Sequence, residues 1–375
     1  MIPDPSRAPV LVTAGGTGGH LFPAEALASA LIRRGIAVHL ATDRRAARFG
    51  GAFAEDAVHV VASATLRGRN PFALTRTAAM LGTGFLQAWR LIGRLKPAVV
   101  VGFGGYPTIP PVMAATRRGV PTVIHDANAV IGRANRLLAP RVTAIATTFP
   151  EVFRDAPVLS LKATLTGNPV RAAVVAAAAT PYPATDDRLQ ILVFGGSQGA
   201  RVMADIVPAA ILQLDPALRA RLYIVQQARD EDVQRVRETY AGGAISAEVA
   251  PFFTDLPARM AASHLVVARS GASTVAELAA IGRPSILVPL PHAIDQDQMA
   301  NAGVLEHAAG ALRIVQGDFT AGRLAAEIAK LAAAPRRLGA MATAARSLGR
   351  LDAADRLADL VLKVGGIVPA RSFQH

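Results

Sequence analysis

The residues best suited to chemistry in this chain are glycines that leave backbone N–H groups bare, with a few polar side chains beside them. Gly15-Gly-Thr-Gly-Gly-His20 and Gly195-Gly-Ser-Gln-Gly-Ala200 each follow a short β-branched run and precede an amphipathic stretch. A glycine turn that opens a helix presents unpaired N–H groups to an anion. A third cluster, Gly102-Phe-Gly-Gly-Tyr-Pro107, follows another candidate strand. The first two turns fit neither the dinucleotide pattern G-x-G-x-x-G nor the P-loop pattern G-x-x-x-x-G-K-[ST]. Asp43 offers a loosely spaced ribose-binding acid for a nicotinamide site. The glycines alone could also serve strand-to-helix packing and nothing more.

The densest cluster is Arg269-Ser-Gly-Ala-Ser-Thr-Val-Ala-Glu277. Here Ser and Thr would cap a helix whose free N–H groups hold a diphosphate. Glu277, one turn in, has the lone pairs to accept both hydroxyls of a ribose. His292-Ala-Ile-Asp-Gln-Asp-Gln298 follows the next strand, and Gln298 can donate to and accept from sugar hydroxyls. On the bland reading Glu277 is only a favourable charge near a helix N-terminus, worth ~0.3–1 kcal/mol. The order diphosphate, ribose, sugar along the segment favours the functional reading.

Positioning these groups takes two series of alternating strands and helices. The first begins with the run from Pro9, and its further strands are expected at Ala37–Ala41, Val58–Ala62, Ala98–Gly102, Pro121–Ile124 and Val142–Ala146. The second begins at Leu189, with strands expected at Leu222–Val225, Ala247–Ala250, His264–Val267, Ser285–Val288 and Leu312–Val315. Strands that alternate with helices imply βαβ units and parallel sheets. The fold class is therefore α/β, with two Rossmann-like doubly wound parallel-sheet domains facing a cleft. The expected domains are residues 1–168 and 188–349, joined by a Pro-punctuated linker over 169–187. A closing helix within 350–375 would pack back on the first domain.

Composition narrows the partners. A chain of 375 residues with 51% hydrophobic and 5% aromatic content has the aliphatic stock for buried parallel strands. It has no cysteine, which excludes disulfides, thiolate metal sites and thiol nucleophiles. The segment from Met1 to Arg7 lacks a charged region followed by an apolar core, so no signal peptide is expected. The most apolar stretch, Ala98–Ala115, is broken by three glycines and three prolines and falls short of the ~20 residues of a membrane span. The net charge of +13 suits an anionic partner such as phosphorylated substrate or lipid headgroup. Nucleic acid is not expected, because Lys and Arg are not interleaved with aromatic residues.

Seven motifs in order then carry a resemblance: GGTGGH (Gly15–His20), GFGGYP (Gly102–Pro107), HDANAVIGRANR (His125–Arg136), TGNPVR (Thr166–Arg171), GGSQGAR (Gly195–Arg201), RSGASTVAE (Arg269–Glu277) and DQDQMANA (Asp295–Ala302). Together they resemble the MurG family, membrane-associated N-acetylglucosaminyltransferases of peptidoglycan synthesis with the GT-B fold. The resemblance implies UDP-GlcNAc as donor and undecaprenyl-diphospho-MurNAc-pentapeptide (lipid I) as acceptor, inverting transfer to the MurNAc C4 hydroxyl, and no cofactor. It makes the first domain the acceptor and membrane domain and the second the donor domain. It implies donor contacts from Thr17, Gly18, Gly19, Asn128, Arg171, Ser197, Gly271, Ala272, Ser273, Thr274, Glu277 and Gln298, with uracil at the backbone near Phe253 or Phe252. Tyr106 falls with the acceptor. Asp126-Ala127 stands where the family often has Glu-Gln, so a carboxylate acting there is one methylene shorter.

Inverting transfer needs a base for the acceptor hydroxyl. His20 is the first choice, since the positive end of a helix disfavours the imidazolium and a neutral ring is what a base requires. It could equally cap the helix or bind sugar; Asp126 and His125 are the alternatives. Departure of UDP would be supported by Ser197, Ser273, Thr274, helix N–H groups and Arg171, so no metal is required; Asp295 and Asp297 fall in the sugar loop. Between Leu66 and Lys96 the chain has no acid, and Arg67, Arg69, Arg76, Arg90, Arg94 and Lys96 beside Phe72, Leu74, Met80, Leu81, Phe85, Leu86 and Trp89 suggest a patch for an anionic membrane surface, on the cytoplasmic face of the inner membrane. The same residues also fit a core helix with a basic outer face. Other readings are a transferase acting on a different lipid, a UDP-GlcNAc epimerase, or a non-catalytic nucleotide-sugar-binding scaffold.

Overall fold

Strands that are apolar at every position leave no face for water and must be covered on both sides. Val10–Thr13 and Val99–Gly102 are of this kind, buried at all four positions. The computed structural model describes residues 8–15, 18–44, 53–63, 71–150, 152–184, 188–196, 199–291 and 296–368. The chain divides into two compact units, Met1–Arg171 with Leu351–His375, and Ala172–Arg350.

The first unit runs β1 (Val10–Thr13), α1 (Gly18–Arg33), β2 (Val38–Thr42), β3 (Val58–Val60), α2 (Pro71–Leu95), β4 (Val99–Gly102), α3 (Ile109–Arg117), β5 (Thr122–Asp126), α4 (Arg133–Leu138), β6 (Ala144–Thr147), α5 (Pro157–Ser160) and β7 (Ala163–Leu165). Its parallel sheet has the order β3-β2-β1-β4-β5-β6-β7. Alternate residues feed opposite faces. Val10, Val12, Val99 and Val101 join one apolar cluster with α1, while Leu11, Val100, Ile124 and Ile145 join another with α2 and α3. The helix α15 (Ala353–Gly365) closes the first cluster with Leu357, Val361 and Leu362. Arg34 ties it to α1 by ion pairs to Asp359 at 2.6 Å and Asp355 at 3.1 Å. β7 was not expected from the sequence.

The second unit opens with α6 (Ala172–Ala177), a helix inside the segment expected to be a linker; its Val174 is fully buried. There follow β8 (Leu189–Phe194), α7 (Arg201–Leu212), α8 (Pro216–Arg221), β9 (Leu222–Gln227), α9 (Asp230–Gly242), β10 (Ser246–Ala250), α10 (Leu256–Ala262), β11 (Leu265–Ala268), α11 (Ala272–Ile281), β12 (Ser285–Leu287), α12 (Asp297–His307), β13 (Ala311–Arg313), α13 (Ala321–Ala332) and α14 (Pro335–Ser347). The sheet order is β10-β9-β8-β11-β12-β13, again parallel. A buried arginine, Arg283, braces this unit: its guanidinium donates to the carbonyls of Thr180, Pro181, Ala261, Ile281 and Gly282. Burial pushes its pKa down to about 10. Both units are thus the doubly wound α/β folds the strand pattern implied.

Candidate functional site

In a doubly wound sheet, ligands bind beyond the carboxyl ends of the strands where the strand order reverses. In the first unit that point lies between β1 and β4, and the segments that leave these strands are the Gly15–His20 and Gly102–Pro107 motifs. His20, in the first turn of α1, is half-buried, and its ring lies over the second glycine motif. A Cβ added at Gly104 would stand 3.4 Å from His20 Cε1, and one at Gly105 3.3 Å from Cδ2. Both glycines have positive φ, 85° and 74°, a conformation that side chains with a Cβ avoid. Gly18 and Gly19 open α1, and Tyr106 follows Gly105 in a single 3-10 turn. Thr17 lies outside the described residues.

The carboxyl end of β5 adds His125 and Asp126, and here the structure separates the base candidates. His125 is wholly buried, and its Nε2–H donates to Gly167 O at 3.1 Å. Burial lowers its pKa to about 4, with His20 near enough to add to the effect. Asp126 is equally buried and occupied. Oδ1 accepts from Asn128 N at 3.0 Å; Oδ2 accepts from Gly132 N at 2.9 Å and Asn135 Nδ2 at 3.0 Å. Burial raises its pKa against the opposing pull of these donors, which include the Asn128 side chain. The carboxylate therefore shapes the 127–132 loop. Asn135, which also donates to His125 O at 2.9 Å, is a positioning residue that the sequence reading missed. Arg171 stacks on Phe22 of α1, 4.2 Å from guanidinium to ring centre. Its charge partly offsets the burial that raises the pKa of Glu25.

In the second unit the order reverses between β8 and β11, and these strands lead into Gly195–Ala200 and Arg269–Glu277. Gly271 is the N-cap of α11 and supplies no side-chain cap; Ala272, Ser273 and Thr274 form its first turn. The expectation that Ser and Thr cap it is therefore corrected: the N-cap is a glycine, which has no side chain to offer the first N–H groups. Ser273 Oγ is buried without a hydrogen-bond partner among the described residues. Glu277 is buried further along the same helix. Arg269, whose role the motif did not reveal, braces the loops behind the site by donating to Val288 O, Pro289 O and Gln316 Oε1 at 3.1, 3.0 and 2.5 Å. Gln298 accepts from Leu290 N at 3.0 Å through one lone pair of Oε1; the amide has a second lone pair and two N–H donors besides. Phe253 is buried with its ring beneath Arg259, 4.3 Å from the guanidinium, while Phe252 is exposed. Ser197 and residues 292–295 lie outside the described residues.

Of the residues of the expected surface patch on α2, Phe85 and Trp89 are half-buried against the core, their rings 5.8 Å apart, and Arg118 covers Trp89 at 4.2 Å. Met80, Leu86 and Arg76 are exposed. Phe72 stands in the first turn of α2, with its side chain outside the described part; Arg69 lies outside altogether. Among the described residues no helix is long and apolar enough to cross a membrane.

Two doubly wound units, each with a helix opening at its point of strand reversal, form an architecture suited to phosphorylated ligands. The N-terminal domain model of glycosyltransferase family 28 matches residues 10–147, and the C-terminal domain model matches residues 190–357. The chain belongs to glycosyltransferase family 28. It is 64% identical over 360 residues to the UDP-N-acetylglucosamine--N-acetylmuramyl-(pentapeptide) pyrophosphoryl-undecaprenol N-acetylglucosamine transferase of Rhodopseudomonas palustris strain HaA2, covering 96% of this chain and 98% of that one. It is 63% identical over 360 residues to the protein of the same name from Bradyrhizobium diazoefficiens, with the same coverage of 96% and 98%. The solved structure of Acinetobacter baumannii MurG superposes with a TM-score of 0.77 at 28% identity, covering 95% of this chain and 99% of that one. The UDP-GlcNAc 2-epimerase of Neisseria meningitidis shares the fold alone, at 14% identity and a TM-score of 0.68 over 94% of this chain and 100% of that one.

Proposed function

We propose that this chain transfers N-acetylglucosamine from UDP-GlcNAc to the C4 hydroxyl of MurNAc in undecaprenyl-diphospho-MurNAc-pentapeptide, turning lipid I into lipid II with inversion. The observation that carries this reading is 64% identity along 96% of the chain to a transferase of that name. The acceptor C4 oxygen forms a bond to the anomeric carbon as the bond from that carbon to the β-phosphate oxygen breaks. The electron pair leaves with UDP, and the hydroxyl proton passes to a base.

His20 is the base in this proposal. What supports this choice is that His20 is half-exposed, whereas His125 and Asp126 are wholly buried and bonded internally. The first N–H groups of α11, with Ser273 and Thr274, receive the diphosphate; Glu277 takes the ribose and Gln298 donates to the sugar. Thr17, Gly18, Gly19, Asn128, Arg171 and Ser197 complete the donor contacts, uracil meets the backbone at Phe253, and Tyr106 faces the acceptor. Preorganised donors at a developing charge are worth ~2.7–4 kcal/mol each. The enzyme docks peripherally on the anionic inner face of the cytoplasmic membrane, which the exposed Arg76, Met80 and Leu86 of α2 support.

The test is a transfer assay with labelled UDP-GlcNAc and a lipid I analogue. The proposal expects label in the lipid product and no sugar released when the acceptor is left out. Conversion of the donor to an epimeric UDP-sugar without acceptor would instead support the epimerase reading.

A further inference from the structure

A groove of about 460 Å³ runs along the edge strand β3, walled by Val58, His59, Val60 and Val61 on one side and by Gln87, Arg90, Leu91 and Arg94 on the other. The second group follows helical spacing, so a single face of α2 forms that wall. The wall is pinned at one end. Gln87 Oε1 accepts from Ala62 N at 2.8 Å, and Gly84 brings the helix so near that a Cβ there would overlap Ala62 O.

The charges in this groove are one-sided. Arg90 and Arg94, both exposed, stand one helical turn apart and form no ion pair among the described residues. Like charges at this spacing repel. His59 lies opposite, stacked on His39 of β2 with ring centres 5.3 Å apart and Nδ1 of His39 3.1 Å from Nε2 of His59. One N–H and one bare nitrogen satisfy that contact, so the pair is stable with at most one added proton. Burial, His39 and Arg94 all lower the His59 pKa, and Asp56 alone opposes them. Two guanidinium groups and an imidazole that gains a proton most easily beside a negative charge thus line one groove.

We propose that this groove binds a small phosphate-class anion. Arg90 and Arg94 hold the anion, as guanidinium groups hold phosphate oxygens. The volume fits one small ligand. None of the residues assigned to glycosyl transfer lines this groove, so the inference stands apart from that assignment. The same chemistry is offered by a soluble phosphomonoester and by the headgroup of an anionic phospholipid.

The full-length protein, labelled at histidine ring carbons and saturated with UDP to occupy the donor site, is titrated with glycerol 3-phosphate while the His59 Cε1–H signal is followed by NMR. The expected result is a saturable shift, a raised His59 pKa and tighter binding as the pH falls, because the bound anion favours the imidazolium. Glycerol leaves the signal in place. Arg90→Gln with Arg94→Gln weakens binding about tenfold, in keeping with two exposed charge contacts. Phosphatidylglycerol vesicles that compete with glycerol 3-phosphate identify the headgroup as source; vesicles that do not compete identify a soluble ligand. A His59 signal unmoved by both probes, or moved equally in the double variant, overturns the proposal.

Discussion

At the residue scale, Asp126 and His125 show how burial assigns roles to neighbouring titratable groups. Asp126 holds two backbone N–H groups and the Asn135 amide. Asp126→Ala leaves those donors unpaired inside the protein, and a loss of about 2–4 kcal/mol is expected in urea denaturation. An unchanged midpoint would show that the loop does not depend on the carboxylate. His125 carries a pH signature. Its pKa is near 6.5 unfolded and about 4 folded, so the unfolded chain takes up the extra proton in that window. Its contribution to stability is complete above pH 6.5 and falls away towards pH 4, by about 3 kcal/mol over the full span. His125→Gln removes this dependence, and the wild type should lose stability relative to the variant when both are denatured at falling pH; a constant difference contradicts the assignment. The sequence displayed these side chains but not their occupancy, because Gly132, Asn135 and Gly167 reach them only when separate loops close at one sheet end.

At the element scale, the strands were legible wherever both faces are buried, since such runs must be continuously apolar. β7 escaped because Ala163–Leu165 is a three-residue edge strand with largely exposed side chains. α6 escaped because the Ala-rich stretch of 172–177 looks like the loop that follows it. The half-burial of Phe85 and Trp89 was not legible for a related reason: basic residues beside apolar ones occur on any amphipathic helix, and only the packing partner decides which face is wet. Two predictions belong here. Gly105→Ala places a Cβ against the His20 ring at a φ of 74°, and should lower kcat with little change in UDP affinity, measured by calorimetry. Equal loss of both would mean that the turn serves the donor and not the ring. Arg283→Ala strips five carbonyls of their donor, and a destabilisation of about 3–5 kcal/mol is expected in the transition of the second unit.

At the scale of the whole molecule, chain order and spatial membership differ. The last helix, α15, is built into the first unit although the entire second unit precedes it. Ending the chain at Arg350 should therefore lower the melting transition of the first unit, since burying Leu357, Val361 and Leu362 contributes roughly 1.5–3 kcal/mol each. UDP binding by the second unit should persist, which calorimetry can read. The two points of strand reversal explain why widely spaced motifs, weak one by one, pointed to a single activity: each is the segment that leaves a strand at the edge where ligands bind.

The most direct test compares His20→Ala and Glu277→Ala for UDP affinity and for turnover with a lipid I analogue. The account predicts that Glu277→Ala weakens UDP binding by about tenfold to a hundredfold, as loss of charged hydrogen bonds to a ribose would. It predicts that His20→Ala leaves UDP affinity intact and lowers kcat by roughly 10²–10⁴. Wild-type turnover by His20→Ala, or undiminished UDP binding by Glu277→Ala, would contradict it.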